Sequence, residues 1–338
     1  MNVFRTTAGL LSAAVLLLSG CQHGQPERSA IVLDARAEWT GLTKAPLLRG
    51  ATLATVEIGT SAFLFEGEWT DALTPNYFHN VPFHYQGTFW IPDNNYFWPG
   101  SGCNLRLFCY APYGAASLSD QEAAGAPSLR FTVPADQASQ VDLLVADTGT
   151  MDGYERQALT VNLSHALCAV RFAIKAGSRS GLLKDLKIGG LYDSASRSLA
   201  WGSGWTSLSG DASYSLDGSF AYTRSDEGLD LFDAGEGYLL LLPQTRSDVW
   251  IRALYQVQGE EDVKEIKASP ITVNWEPGKI YTYTMDVRET VTVSVSVAGF
   301  AEVGPDAVFD VGVFPFTPAD PSGGDYTGGN GDFIVTGK

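Results

Sequence analysis

The feature that most constrains the fold is a strict alternation of apolar and polar residues near the start of the chain. Between residues 30 and 40, one side of this alternation carries only apolar side chains, namely Ile31, Leu33, Ala35, Ala37 and Trp39. A period of two is typical of a strand with one buried face, because successive side chains of a strand point to opposite sides. The segment is therefore predicted to form a first strand that fills a groove in the body of the protein.

A loop open to proteolysis is predicted directly after this strand. Residues 41–50 lose the alternation, contain Pro46, and carry Lys44 and Arg49, behind which a trypsin-like protease can cut. Our hypothesis is that cleavage after Arg49 frees the first strand and leaves a groove for a strand of a neighbouring subunit. Arg36 is a weaker cleavage candidate, because it lies within the strand. The alternative is an ordinary edge strand followed by an ordinary loop.

A second alternating segment near the end of the chain is the predicted donor of that replacement strand. One of its faces carries Val291, Val293, Val295 and Val297, and the other carries threonine and serine. Its length and alternation match those of the first strand. Two later runs, AVFDVGVFPF (307–316) and FIVTGK (333–338), are alternative donors, and a linker rich in Pro, Gly and Asp separates them.

The beginning of the chain has the features of a lipoprotein signal. Arg5 precedes an apolar run at residues 8–18, which is too short to cross a bilayer as a stable helix. The run closes with LSGC, which predicts a signal peptide over residues 1–20 and lipid attachment to Cys21. The alternative is a plain secretory signal with an incidental cysteine. A protein with the two or three acyl chains of such a lipid is stably anchored to a membrane.

Composition bounds the class of protein. The chain has 338 residues, enough for two domains, and its 36 glycines, 16 prolines and abundant aromatic residues are typical of a folded, turn-rich protein. Its 38 acidic residues exceed its 22 basic residues, which gives a formal charge of −16. Such a charge repels phosphates, so nucleic acid is excluded as a partner.

Short strand-like runs recur along the chain with turn signals between them, and no amphipathic helix of twelve or more residues is present. The predicted fold is all-β, with two β-sandwich domains. The predicted segments are a signal peptide (1–20), a pro-segment with the first strand (21–49), an N-terminal domain (50–152), a C-terminal domain (153–289) and a donor-strand and linker extension (290–338).

Three cysteines remain after Cys21. Cys168 shares a strand face with Val170 and Phe172 and is predicted to lie in the core. Cys103 and Cys109 either pair, which an oxidising compartment permits, or remain as buried thiols. The sequence leaves both alternatives open.

Motifs for catalysis and metal binding are not found in the sequence. It contains four histidines but no HExxH, GxSxG, P-loop or dinucleotide-binding fingerprint. We predict a protein that is not an enzyme and that has no metal site and no cofactor. A competing hypothesis is a monomeric, lipid-anchored protein that binds glycans through an exposed aromatic platform. That platform would consist of Tyr77, Phe78, Tyr85, Trp90, Tyr96 and Trp98.

Several motifs, in this order, give the chain a family resemblance. They are LSGC at Cys21, NNYFWP (94–99), LRLFCYAPYG (105–114), DLLVA (142–146), VNLSHALCAVRFAI (161–174), LLLLPQT (239–245) and WEPGKIYTYT (275–284). With them the chain resembles the fimbrillin family, the lipoprotein pilins of Bacteroides-type Gram-negative bacteria.

The resemblance implies transthyretin-like β-sandwich domains and export as a surface-exposed outer-membrane lipoprotein. It also implies cleavage after the first strand by an arginine-specific protease, for which Arg49 has the matching position. The implied partners are other fimbrial subunits, joined by strand exchange into a cell-surface fimbria. We predict a structural subunit or an adhesin of such a fimbria, with a host protein or glycan as a further candidate partner.

Overall fold

The computed structural model describes residues 29–37, 53–154, 158–223, 229–230, 238–287 and 292–299. Over these ranges the chain forms 21 strands, numbered β1 to β21 in chain order, and one short 3-10 helix, Gln137–Ser139. The all-β prediction is confirmed. Across the same ranges, no helix has the length and apolar character needed to span a bilayer.

The largest sheet contains eight strands and closes on itself. Its strands are β1 (Leu33–Ala37), β2 (Ile58–Phe65), β3 (Phe78–Gln86), β4 (Phe89–Pro92), β5 (Asn104–Ala111), β8 (Leu144–Asp147), β9 (Met151–Asp152) and β10 (Leu159–His165). Their order is β2-β3-β4-β1-β10-β8-β5-β9, and an additional pairing of β2 with β5 closes a ring of seven strands. We call this ring the closed sheet.

Three further sheets contain the remaining strands. The first has β11 (Cys168–Lys175), β16 (Leu229–Asp230), β17 (Leu239–Leu241), β20 (Lys279–Asp286) and β21 (Thr292–Gly299). The second has β12 (Gly181–Leu191), β15 (Ala212–Tyr222), β18 (Thr245–Val257) and β19 (Val263–Asn274). The third has β6 (Ser117–Leu118), β7 (Ser128–Thr132), β13 (Ser194–Ser198) and β14 (Trp205–Ser209).

The apolar pattern of β5 shows how the closed sheet joins the rest of the molecule. Leu107 and Cys109 belong to the core inside the closed sheet, whereas Phe108 and Tyr110 belong to a second, larger core. That larger core also contains Phe172 and many other side chains of the later sheets. A strand that is buried on both faces needs an almost continuous apolar run, which is what LRLFCYA provides.

The predicted domain boundary at residue 152 falls before β10 in the chain. β10 pairs with β1 and β8 in the closed sheet, whereas β11 belongs to another sheet. The change of sheet therefore occurs at residues 166–167. In addition, β7 pairs with β13 across the predicted boundary. The division into two domains stays a prediction.

A partly buried arginine with two unpaired nitrogen atoms gives a testable prediction about stability. Arg197 of β13 pairs with Leu129 of β7 and Trp205 of β14 in the sheet register. Its Nε and Nη1 atoms are buried and have no hydrogen-bond partner among the described residues, and burial lowers its pKa. We expect Arg197→Met to raise the free energy of unfolding by about 1 to 3 kcal/mol, because two buried nitrogen atoms of a cation that lack hydrogen-bond partners oppose folding. Guanidinium denaturation measures this change.

The matched control is Arg130→Met, because Arg130 is on the neighbouring strand and is exposed. This control is expected to change the stability by less than about 0.5 kcal/mol. A loss of stability in the Arg197→Met variant would contradict the prediction.

Candidate functional site

The first strand lies inside the closed sheet, between β10 and β4. β1 runs parallel to β10 through five register pairs, from Leu33–Leu159 to Ala37–Leu163. On its other side it pairs with β4 through Leu33 and Trp90. The alternative of an ordinary edge strand is therefore wrong. Removal of β1 would separate β4 from β10 and open the closed sheet, and we call the space between these two strands the groove.

Main-chain hydrogen bonds extend this contact to the residues before β1. The amide of Ile31 donates to the carbonyl of Tyr96 at 2.7 Å, and the amide of Trp98 donates to the carbonyl of Ser29 at 3.1 Å. On the other side, the amide of Leu159 donates to the carbonyl of Val32 at 2.8 Å. These bonds join backbone atoms only, so a strand of a different sequence can form the same set.

The side chains of the first strand divide between the core and the surface. Ile31 and Leu33 are completely buried, and Ala35 is 6% exposed. On the opposite face, the guanidinium of Arg36 forms an exposed ion pair with Asp34 at 2.7 Å. Ala37 is half-buried. The groove thus accepts two large apolar side chains and then a small one from its occupant.

The core under the first strand consists of large side chains from the rest of the closed sheet, together with Leu53, which precedes β2. Those with at most 1% exposure are Leu53, Ile58, Phe83, Leu105, Leu107, Leu144, Val161 and Leu163. This core would face solvent wherever β1 was absent. An apolar cavity of this kind, flanked by two strands with unpaired backbone groups, favours occupation by another strand.

Four of the predicted site residues, Cys21, Trp39, Arg49 and Val291, lie outside the described residues. Arg36 lies within β1, where it pairs with Asn162 of β10. Its side chain is 62% exposed, but its backbone is part of the ladder. A protease would have to pull this segment out of the sheet to cut there, which argues against Arg36 as the cleavage site.

The predicted donor strand is paired within its own chain. β21 runs antiparallel to β20 through eight register pairs, from Lys279–Gly299 to Asp286–Thr292. Val293 packs against the larger core, whereas Val295 and Val297 are 53% and 57% exposed. On the other side of β21, the described residues provide no further strand. The valine strand would have to leave β20 in order to act as a donor.

The aromatic residues of the competing hypothesis do not form an exposed platform. Phe78, Trp90 and Trp98 are each 4% exposed, and Tyr77 and Tyr96 pack against the core of the closed sheet. The rings of Phe78 and Tyr96 lie 4.3 Å apart. Tyr85 is 37% exposed, but its ring packs on that of Trp90 at 4.7 Å. Five of these six residues instead belong to the core of the closed sheet or pack against it, and the sixth, Tyr85, covers Trp90 from the surface.

The cysteines and histidines have structural environments. Cys109 and Cys168 are free, buried thiols, which excludes a disulfide between Cys103 and Cys109. Burial raises the pKa of Cys109 to about 12, so its thiol stays protonated and unreactive. The Nδ1 atom of the buried His165 lies 2.9 Å from a carboxylate oxygen of Asp142. Among the described residues, no group of three or more potential ligands could hold a metal ion.

Residues 54–299 match a family model described as fimbrillin-like. The chain belongs to the fimbrillin-like family. The match covers β2 to β21 and leaves out β1 and residues 300–338. A comparison with curated proteins finds no match.

Solved structures are similar to this fimbrillin-like chain in fold. A fimbrial protein from Bacteroides vulgatus is 16% identical, with a TM-score of 0.60, and the match covers 80% of this chain and 99% of that protein. A putative cell adhesion protein from Bacteroides ovatus is also 16% identical, with a TM-score of 0.54 and coverage of 81% and 98%. At this identity the likeness shows the fold alone.

Sequence reasoning missed the residues that hold the first strand of this fimbrillin-like protein. Trp90 and the segment 96–98 contact β1 on the side opposite to β10. Their aromatic character was visible, but no spacing in the sequence pairs them with residues about 60 positions earlier. Such pairing is a property of the closed sheet, not of either segment.

Proposed function

We propose that the chain is a subunit of a cell-surface fimbria that is exported as a lipoprotein through Cys21 and cleaved after Arg49. The cleaved subunit then assembles by exchange of β1 for a strand of another copy. The observation that supports this function is the interior position of β1, which completes a closed sheet and yet lies outside the fimbrillin-like match. Membership in the fimbrillin-like family supports the fimbrial assignment.

The energetics support a groove that must be filled. Burial of a side chain such as Ile31 or Leu33 contributes about 1.5 to 3 kcal/mol, so these two residues contribute about 3 to 6 kcal/mol. Main-chain bonds to β10 and to the segment 96–98 add to this sum. Before cleavage, a strand from another molecule competes poorly, because β1 belongs to the same chain and has a high effective concentration. Cleavage removes that advantage.

The segment 333–338 is the donor that we propose. The sequence predicts β21 for this role, but β21 already pairs with β20 along its whole length. FIVTGK corresponds to IVLDAR of residues 31–36 at each position: two apolar residues at the fully buried positions, glycine at the position of Ala35, and lysine at that of Arg36. In the sequence, residues 300–332 separate this segment from β21.

The test combines N-terminal sequencing with size-exclusion chromatography before and after limited trypsin treatment of the full chain. We expect a new N-terminus at Gly50 and growth of oligomers after cleavage. Arg49→Ala is expected to prevent the new N-terminus at Gly50, and the addition of Lys44→Ala is expected to prevent the growth of oligomers, because trypsin can also cut after Lys44. Phe333→Asp should permit cleavage but stop assembly, because a carboxylate would enter the apolar end of the groove.

The matched control for the donor is Val297→Asp, which places the same residue on the exposed face of β21 and should leave assembly intact. Assembly of the Phe333→Asp variant together with failure of the Val297→Asp variant would move the donor role to β21. Assembly of uncut Arg49→Ala protein would refute activation by cleavage.

A further inference from the structure

A surface cleft lies at one end of the four-stranded sheet β15-β12-β18-β19, apart from the groove. Strands β12, β15 and β18 supply most of its lining, together with the turns that adjoin them. Its volume is about 510 Å³, within the range of roughly 300 to 1,000 Å³ that is typical of small-molecule sites. The groove, in contrast, is formed by β4 and β10.

The floor of the cleft depends on a glycine. Gly181 of β12 stands in register between Tyr222 of β15 and Val257 of β18, and both neighbours are buried. The phenol of Tyr222 lies across Gly181 and its hydroxyl donates to the carbonyl of Gln256 at 3.4 Å. A Cβ atom on Gly181 would lie 2.5 Å from the Tyr222 hydroxyl. The glycine thus permits a closed apolar floor, and the half-exposed Leu182 borders it.

The rim of the cleft carries uncharged polar side chains that the protein does not use. Within the described ranges, no hydrogen bond satisfies the hydroxyl of Ser180, the hydroxyl of Thr223 or the amide of Gln258, and all three line the cleft. Thr223 and Gln258 are exposed. Together they offer two hydroxyl groups and one amide, which can both donate and accept hydrogen bonds.

Charges at the cleft are of both signs. Glu260 lines the cleft and pairs with Lys264 at 2.7 Å. The hydrogen bond from Lys264, together with the charges of Lys264 and Arg179, lowers the pKa of Glu260, so its carboxylate is ionised at neutral pH. Because the cations Lys264 and Arg179 already offset the charge of the Glu260 carboxylate, the cleft favours a ligand with neutral hydroxyl groups over a strongly charged ligand.

We propose that this cleft binds a neutral saccharide residue. The hydroxyl groups of a sugar ring both donate and accept hydrogen bonds, as the side chains of Ser180, Thr223 and Gln258 do. Its C–H face is apolar and would pack against Leu182 and Ala221, which are register neighbours on β12 and β15 and both line the cleft, whereas the carboxylate of Glu260 would accept hydrogen bonds from ring hydroxyls. Apolar walls with a few polar groups are typical of small-molecule sites. This inference does not depend on strand exchange.

The experiment is saturation-transfer NMR on the full chain with glucose, galactose, mannose, fucose, N-acetylglucosamine and lactose as probes. N-acetylneuraminic acid serves as the anionic probe. We expect saturable binding of at least one neutral sugar in the millimolar range. Thr223→Val and Gln258→Ala are each expected to weaken it about fivefold, the effect of one lost hydrogen bond. The double variant is expected to weaken binding more than tenfold.

The matched control is Thr272→Val, because Thr272 is an exposed threonine on β19 that does not line the cleft. It should leave the affinity unchanged, and circular dichroism checks that every variant is folded. Absence of saturable binding by all neutral sugars would overturn the proposal. Binding that persists in the double variant, or binding of N-acetylneuraminic acid alone, would overturn it as well.

Discussion

Replacement of Leu33 by aspartate is expected to lower the free energy of unfolding of the uncut chain by about 4 to 6 kcal/mol. Leu33 is completely buried and is the residue of β1 that pairs with both neighbours, Leu159 on β10 and Trp90 on β4. The substitution removes a large apolar side chain from the core and places a carboxylate without a partner there. Guanidinium denaturation, followed by tryptophan fluorescence, measures the loss.

The matched control places the same residue on the other face of the same strand. Arg36→Asp is expected to cost less than about 1 kcal/mol, because the side chain of Arg36 is 62% exposed and its ion pair with Asp34 is solvated. A similar cost for both substitutions would refute the assignment of faces in β1.

Processing supplies a second control for Leu33→Asp. If cleavage after Arg49 removes β1 from the assembled protein, polymers made from variant and unaltered chains are expected to have the same stability. A variant that remained less stable after processing would show that β1 stays in the groove.

The second large effect is expected for Asp147→Ala, which should lower the free energy of unfolding by about 3 to 5 kcal/mol. The carboxylate of Asp147 is buried and accepts hydrogen bonds from the guanidinium of Arg106 and from the amides of Gly149 and Trp201, the last two at 2.9 Å. Because Trp201 lies between β13 and β14, the carboxylate also joins this hairpin to the closed sheet. The substitution would leave Arg106 without its carboxylate partner, above the rings of Trp69 and Phe108.

The cost of this substitution is expected to depend on pH. Burial alone would raise the pKa of Asp147, but the hydrogen bonds from Arg106, Gly149 and Trp201 outweigh it, and the pKa is lowered. A carboxylate with a lowered pKa contributes stability above its unfolded pKa of about 3.9, and this contribution is lost as the pH falls through the folded pKa. The difference in stability between the variant and the unaltered chain should therefore be largest at neutral pH and shrink below about pH 4.

Asp211→Ala is the control for these measurements, because the side chain of Asp211 is 77% exposed and lies 3.5 Å from Arg246. It is expected to cost less than about 1 kcal/mol at any pH. A cost of Asp147→Ala that stayed constant from pH 7 to acid would contradict the role given to its ionised form.

Local patterns predicted several parts of the fold correctly. The all-β class followed from strand-like runs with turn residues between them. The placement of Cys168 in the core followed from its shared face with Val170 and Phe172, all of which are fully buried. Such predictions succeed because the alternation of a strand depends on which of its faces is buried, and this can be read from the polarity of residues that are close in sequence.

Local patterns failed where two distant segments must meet. Val295 and Val297 have the alternation of a groove-filling strand, yet they lie exposed beside β20. The aromatic residues near Trp90 have the composition of a sugar platform, yet they pack inside the closed sheet. In both cases the pattern defines a face, but the partner of that face lies elsewhere in the chain.

The sequence by itself determined the class of fold, the faces of the strands and the absence of recognisable catalytic motifs. Only the tertiary structure decided that β1 lies between β4 and β10 and that β2 pairs with β5 to close the sheet. It also decided that the carboxylate of Asp147 accepts a hydrogen bond from the amide of Trp201. The physical reason is that the alternation of apolar and polar residues along a strand depends only on which face of that strand is buried. Strand order and closure depend on contacts between segments far apart in sequence, which no local period encodes.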